Sequence, residues 1–186
     1  MGNKKFEIRI AGKGGQGILT AGYILGKAIA LYEDKNVAQT QSYGPEARGG
    51  ASRTDLIISD SQIFYTKVRK ADYLVVLSQE AYDKYISSFP EATGTLIADS
   101  YITLKNGQKG KILLGDFEKI ARDDLKNPLA ANLVMLGYLC AVSSLANSES
   151  VKKVISGHFK KKFEESNFKA FDMGFEAGKK NLKSQG

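Results

Sequence analysis

Phe6-Glu7-Ile8-Arg9-Ile10-Ala11-Gly12-Lys13-Gly14-Gly15-Gln16-Gly17-Ile18 is the stretch on which the fold turns. Phe6, Ile8 and Ile10 alternate with Glu7, Arg9 and Ala11, the period-two signature of a strand. Past the glycine cluster, Ile18, Ala21, Leu25, Ala28, Ile29 and Tyr32 fall at helical spacing and predict a helix over Ile18–Tyr32. Gly22 and Gly26 inside it each cost roughly 1 kcal/mol relative to Ala. Being four residues apart they share a face, so they predict close approach of this helix to a sheet. Asn36 to Gln41 reads as a second strand, and strand, helix and strand in succession predict a right-handed unit with parallel strands.

Outward from that core the chain keeps alternating. Ser42 to Gly50 is a loop, and Thr54–Ile58 and Gln62–Val68 are strand-like and joined at Asp60-Ser61, which predicts an antiparallel hairpin. Tyr73–Leu77 is a continuous apolar run, as in a buried parallel strand. Ser78 caps a helix that Pro90 stops, and Gly94–Asp99 and Lys111–Leu114 are further strands. Asn127-Pro128 opens a long apolar helix to about Leu145. Ser148 starts an amphipathic one, and Phe168, Phe171, Phe175 and Leu182 mark the last. The expected fold class is α/β: a mostly parallel Rossmann-like sheet with an antiparallel hairpin, helices on both faces and extra C-terminal helices. Glu7 and Arg9 sit poorly on a strand buried on both sides, so one face there is expected to be solvated or at a subunit contact.

The length of 186 residues points to a single domain, 1–186. One cysteine excludes a disulfide framework and any four-cysteine zinc or iron–sulfur site made by this chain alone. One histidine excludes a two-histidine metal site. No run approaches the ~20 apolar residues that cross a bilayer, so a soluble, cytoplasmic protein without membrane contact is expected. Lys plus Arg number 27 against 20 Asp plus Glu, and the net charge of +7 favours acidic or phosphate-bearing partners. Lys152, Lys153, Lys160, Lys161, Lys162, Lys179, Lys180 and Lys183 lie on helices whose other face is apolar and need no ligand to explain them. No nucleic-acid motif or aromatic–basic stripe accompanies the charge, and no nucleic-acid partner is expected.

Gly12, Gly14 and Gly17 form G-x-G-x-x-G between a strand and a helix, where backbone N–H groups can approach an anion. A dinucleotide site also needs an acid at the end of the second strand. Gln39, Thr40 and Gln41 stand there, while Glu33 and Asp34 come too early. The competing role of the glycines is a tight turn with close helix packing. The loop Ser42-Tyr43-Gly44-Pro45-Glu46-Ala47-Arg48-Gly49-Gly50, with Arg53 just after, is expected at the same sheet edge as the glycine turn. Gln16, Arg48 and Arg53 would then converge on one anion-friendly patch. The alternative is a surface loop whose arginines pair with Glu46 and Asp55.

Asn132 interrupts an apolar helix and is expected to hydrogen-bond in the core. Cys140 reads as a small buried hydrophobe and His158 as a boundary residue. No nucleophile–base pair, paired carboxylates or metal-ligand cluster is present, so neither a catalytic residue nor a metal site is expected in this chain.

Gly12-Lys13-Gly14-Gly15-Gln16-Gly17 followed by Gln41-Ser42-Tyr43-Gly44-Pro45-Glu46-Ala47-Arg48-Gly49-Gly50 resembles the gamma subunit of 2-oxoacid:ferredoxin oxidoreductases. Ile58-Ser59-Asp60, Ala71-Asp72, Asn132 with Gly137, and Asn167 with Phe171 and Gly174 extend the match over nearly the whole chain. The resemblance implies an enzyme that converts a 2-oxoacid and CoA to acyl-CoA and CO2 while reducing ferredoxin. It also implies thiamine-binding alpha and beta subunits and a ferredoxin-like subunit as partners. Thiamine diphosphate and iron–sulfur clusters belong to those other chains, and this one binds no cofactor by itself and is inactive alone. Its part is to complete the assembly and shape substrate or CoA access, with Gly12, Gly14, Gly15, Gln16, Gly17, Arg48, Gly49, Gly50 and Arg53 as contact residues. The Tyr-Gly-Pro-Glu-Ala-Arg-Gly-Gly loop looks most like the 2-oxoglutarate type. Branched-chain 2-oxoacids, pyruvate and indolepyruvate stay open, as does a stand-alone nucleotide-binding oxidoreductase.

Overall fold

The computed structural model describes residues 5–42 and 50–184. The opening strand pattern becomes β1 (Lys5–Lys13), and the glycine cluster turns the chain into α1 (Ile18–Tyr32). Then come β2 (Asn36–Ser42), β3 (Ala51–Ser59), β4 (Tyr73–Val76), α2 (Gln79–Tyr85), β5 (Thr95–Asp99) and β6 (Lys111–Gly115). The rest is helical, with α3 (Phe117–Lys119), α4 (Ala131–Ser143), α5 (Ser148–His158) and α6 (Glu164–Ser184). The strands form one sheet in the order β2-β3-β1-β4-β5-β6. β1, β4, β5 and β6 are parallel, and β3 is antiparallel to both its neighbours. The α/β class is as the sequence predicts: a mostly parallel sheet, one antiparallel hairpin and helices on both faces.

Strand pairing departs from expectation in two places. β3 inserts between β1 and β2, so β2 runs in the direction of β1 without pairing with it. The hairpin partner of β3 is β2, across residues 43–49, and not Gln62–Val68, which forms no ladder. Period-two alternation identifies a strand-forming segment without identifying its neighbour, and burial decides the rest. All of β3 except Arg53 is buried, which suits a strand flanked on both sides. Only Ile63 and Val68 of the later segment reach the core.

One sheet face is covered by α1, α4, α5 and α6. Ile8, Ile10, Leu56 and Ile58 pack there, fully buried, each burial contributing about 1.5–3 kcal/mol. A Cβ on Gly22 would run into Thr54 and one on Gly26 into Leu56, so these glycines do seat α1 on the sheet. Gly137 and Gly174 bring α4 and α6 into backbone contact, at Phe171 and Val134 respectively. The other face carries α2 and a smaller core of Leu74, Val76, Tyr82, Leu96 and Ala98. Arg9 points to that face and is buried, which corrects the expectation of a solvated or intersubunit face at this residue. Its guanidinium grips Asp55 bidentately at 2.8 and 2.7 Å and donates to the Val68 carbonyl at 3.1 Å. The pair exists because Arg9 and Asp55 are register partners on β1 and β3. No helix among the described residues is long and apolar enough to cross a membrane.

Candidate functional site

β1 and β4 are adjacent and parallel, but the helices that follow them leave on opposite faces, α1 to one and α2 to the other. Open α/β sheets bind ligands in the crevice at such a switch point, outside the carboxyl ends of the strands. The glycine turn occupies this place. Gly15 and Gly17 have φ of +92° and +70°, a region that costs residues with a Cβ about 1–2 kcal/mol. Gly17 is doubly required, because a Cβ there would run into the Asn132 carboxamide. Asn132 Nδ2 donates to the Gly17 carbonyl at 3.2 Å, and its Oδ1 accepts from the Leu133 N–H at 2.9 Å. The expected core partner of Asn132 is therefore the glycine turn itself.

Gln16 ties the turn to the rest of the edge. Its Oε1 accepts from the Lys13 N–H at 2.6 Å, while Nε2 donates to the Leu77 carbonyl at 3.0 Å and to Glu118 at 2.7 Å. The Leu77 carbonyl, just past β4, also accepts from the Tyr101 hydroxyl at 2.6 Å. Gly12 must be small because a Cβ would come within 2.6 Å of Gln16 Oε1. The carboxamide of Gln16 is thus fully engaged within the chain, and this residue sets the shape of the turn.

The glycine turn meets Gly50, the last residue of the arginine loop, at this edge. The Gly14 N–H donates to the Gly50 carbonyl at 3.2 Å, and Glu80 accepts from the Ala51 N–H at 3.0 Å. Arg48 and Gly49 lie outside the described residues. Arg53 follows on β3, opposite Ala11 and Ser42. Its guanidinium lies 3.5 Å from Asp55 and 5.3 Å from the Tyr85 ring centre, and its side chain keeps 30% of its exposure. Arg9 approaches the same ring at 5.4 Å and Lys84 at 5.7 Å, so one tyrosine takes three cations over its π-system.

Sequence reasoning missed the acidic half of the edge. Asp99, at the end of β5, is buried and accepts from the Glu118 N–H at 2.9 Å. Burial, and after it the neighbouring Glu118 and Asp116, pushes its carboxyl up to about 6. Tyr101 is pushed up to about 12 by burial and then by Glu118 and Asp99. Its hydroxyl therefore stays protonated and can only donate or accept a hydrogen bond. The signal available was an aspartate ending a strand at the carboxyl edge, a position where open sheets place functional groups. Lys13, Gly15 and Arg53 line the β1–β3 side and the carboxylates the β5–β6 side.

Residues 7–177 match the pyruvate ferredoxin/flavodoxin oxidoreductase family. The 2-oxoglutarate synthase subunit KorC of Methanocaldococcus jannaschii is 45% identical over 93% of this chain and 94% of its own length. KorC of Archaeoglobus fulgidus is also 45% identical, over 97% of this chain and 91% of its own. The solved gamma subunit of a keto/oxoacid ferredoxin oxidoreductase from Geobacter sulfurreducens superimposes with a TM-score of 0.86 at 35% identity. That superposition covers 96% of this chain and 98% of the other. Matched over residues 7–177 and 45% identical to these KorC subunits, this chain belongs to the pyruvate ferredoxin/flavodoxin oxidoreductase family.

Proposed function

We propose that the chain is the gamma-type subunit of a cytoplasmic 2-oxoglutarate:ferredoxin oxidoreductase, residues 1–186 acting as one gamma-type domain. The observation that carries this reading is 45% identity, over 93% of the chain, to a 2-oxoglutarate synthase subunit. In the reaction the bond between the carboxylate and the keto carbon of 2-oxoglutarate breaks and CO2 leaves. The remaining acyl group joins the CoA thiol as succinyl-CoA, and the electron pair passes to ferredoxin. Bound in the complex, thiamine diphosphate supplies carbanion stabilisation, and iron–sulfur clusters supply the electron path.

Those groups are assigned to alpha, beta and ferredoxin-like partner subunits, and the clusters do not fit the residues of this chain. Its one cysteine, Cys140, is buried in α4, and burial pushes its thiol up to about 12, far from the thiolate that ligates a cluster. What the chain contributes is the shaped edge. Gly12, Gly14, Gly15 and Gly17 hold the turn, Gln16 positions it, and Arg48, Gly49, Gly50 and Arg53 present donors to the phosphates of CoA. An arginine on such a loop can grip a phosphate bidentately.

The test is reconstitution with the partner subunits and a comparison of kcat/KM for 2-oxoglutarate, pyruvate and a branched-chain 2-oxoacid. Preference for 2-oxoglutarate, with the KM for CoA raised severalfold by Arg48→Ala, supports the reading. Preference for another 2-oxoacid reassigns the substrate.

A further inference from the structure

Gln62–Val68 carries Ile63, Phe64, Tyr65, Thr66 and Val68, residue types suited to a strand, yet it joins no sheet. Ile63 and Val68 pin its ends into the core on the α2 side. Between them Phe64 and Tyr65 stand 79% and 80% exposed, more than any other aromatic residue among those described. A groove of about 590 Å3 opens beside them, lined in part by Lys5, Ser59 and Ile63. A lone exposed hydrophobe is ordinary, but two adjacent aromatic rings in water beside a groove mark an interaction surface.

The surrounding charge narrows the partner. Lys67, Arg69 and Lys70 follow, with no carboxylate from Gln62 to Ala71. The nearest acids are engaged within the chain. Glu7 pairs with Lys5 and accepts from the Arg69 N–H, Asp60 pairs with Lys35, and Asp72 accepts from the Glu7 N–H. The flank is left basic. A second copy of this chain would bring the same cations and be repelled, whereas a carboxylate-rimmed surface would be attracted. The segment leaves the end of β3 beside the start of β1, at the opposite edge of the sheet from the glycine turn.

We infer that Phe64 and Tyr65, flanked by Lys67, Arg69 and Lys70, form the epitope through which this chain docks onto another subunit of its oxidoreductase. That subunit presents an apolar pocket rimmed by carboxylates. The inference rests on the subunit role proposed above.

The experiment titrates the partner subunits, produced without this chain, with three full-length chains at low and high salt: wild type, Phe64→Ser/Tyr65→Ser and Lys67→Glu/Arg69→Glu/Lys70→Glu. Thermal melts establish that each is folded, and either variant alone suffices should the other not fold. The aromatic variant is expected to bind about tenfold more weakly or worse. The charge-reversed variant is expected to bind more weakly at low salt and to lose the salt dependence of the wild type. Folded variants that bind as the wild type does overturn the docking surface alone. So does an aromatic variant that abolishes self-association of the chain while leaving partner binding intact. A wild-type chain that binds no partner subunit overturns the subunit role and the docking surface with it.

Discussion

The two edges of the sheet are built on opposite terms. At the carboxyl edge, between β1 and β4, polar atoms are drawn inward and used up: Gln16 on Lys13, Leu77 and Glu118, Asn132 on Gly17, Asp99 on Glu118. At the other edge, Phe64 and Tyr65 are held out in water by anchors on either side. The first region holds its geometry without help. The second is unfinished as it stands and is completed by being covered. Substitutions should therefore act on folding stability at the carboxyl edge and on association at the other.

The largest stability loss is expected from Gly17→Ala. The left-handed backbone and the displaced Asn132 carboxamide together should cost about 2–3 kcal/mol, read from urea melts of the free chain. A change below the error of the melts would mean that Asn132 and the turn can part without penalty. Asp99→Asn comes next in size, with the opposite sign. The Asp99 carboxyl holds its proton more tightly folded, with a value raised from 3.8 to about 6. Its contribution is thus full at low pH and lost as pH rises through about 6. Wild type and variant should be equally stable below about pH 4, draw apart between about pH 4 and pH 6, and stay apart above it, the variant being more stable by on the order of 2 kcal/mol. Parallel stability curves across that range would contradict the buried placement of this carboxyl.

Gln16→Leu should cost about 1–2 kcal/mol, because it strands the Lys13 N–H and takes a donor from the Glu118 carboxylate, while the Leu77 carbonyl keeps the Tyr101 hydroxyl. Phe64→Ser/Tyr65→Ser should move the melting curve of the free chain least, by no more than about 0.5 kcal/mol. A larger loss there would make the two edges alike and remove the contrast.

Much of this was legible in the sequence, for physical reasons that also explain the misses. α1 and the glycine turn were readable because helical spacing, paired glycines and G-x-G-x-x-G are local patterns. The pairing of β3 with both β1 and β2 was not, since the partner of a strand is chosen by burial across the whole sheet. Arg9 was misplaced for the same reason: its fit depends on Asp55 standing opposite, a fact of register rather than of neighbouring residues. Gln62–Val68 reads as a strand because its residue types do, and the unused tendency is what singles the segment out. Gln16 stood out in the sequence as a candidate contact residue, and the structure bonds its carboxamide within the chain. Its engagement with Leu77 and Glu118 joins positions 61 and 102 residues away, beyond the reach of any local motif.

The most direct test of the account is 2-oxoglutarate- and CoA-dependent reduction of ferredoxin by the thiamine-binding and ferredoxin-like subunits, measured with and without this chain. The account predicts that the chain alone is silent, that the partners without it are severely impaired, and that adding it restores succinyl-CoA formation. Full turnover by the partners in its absence, or turnover by the chain alone, would contradict it.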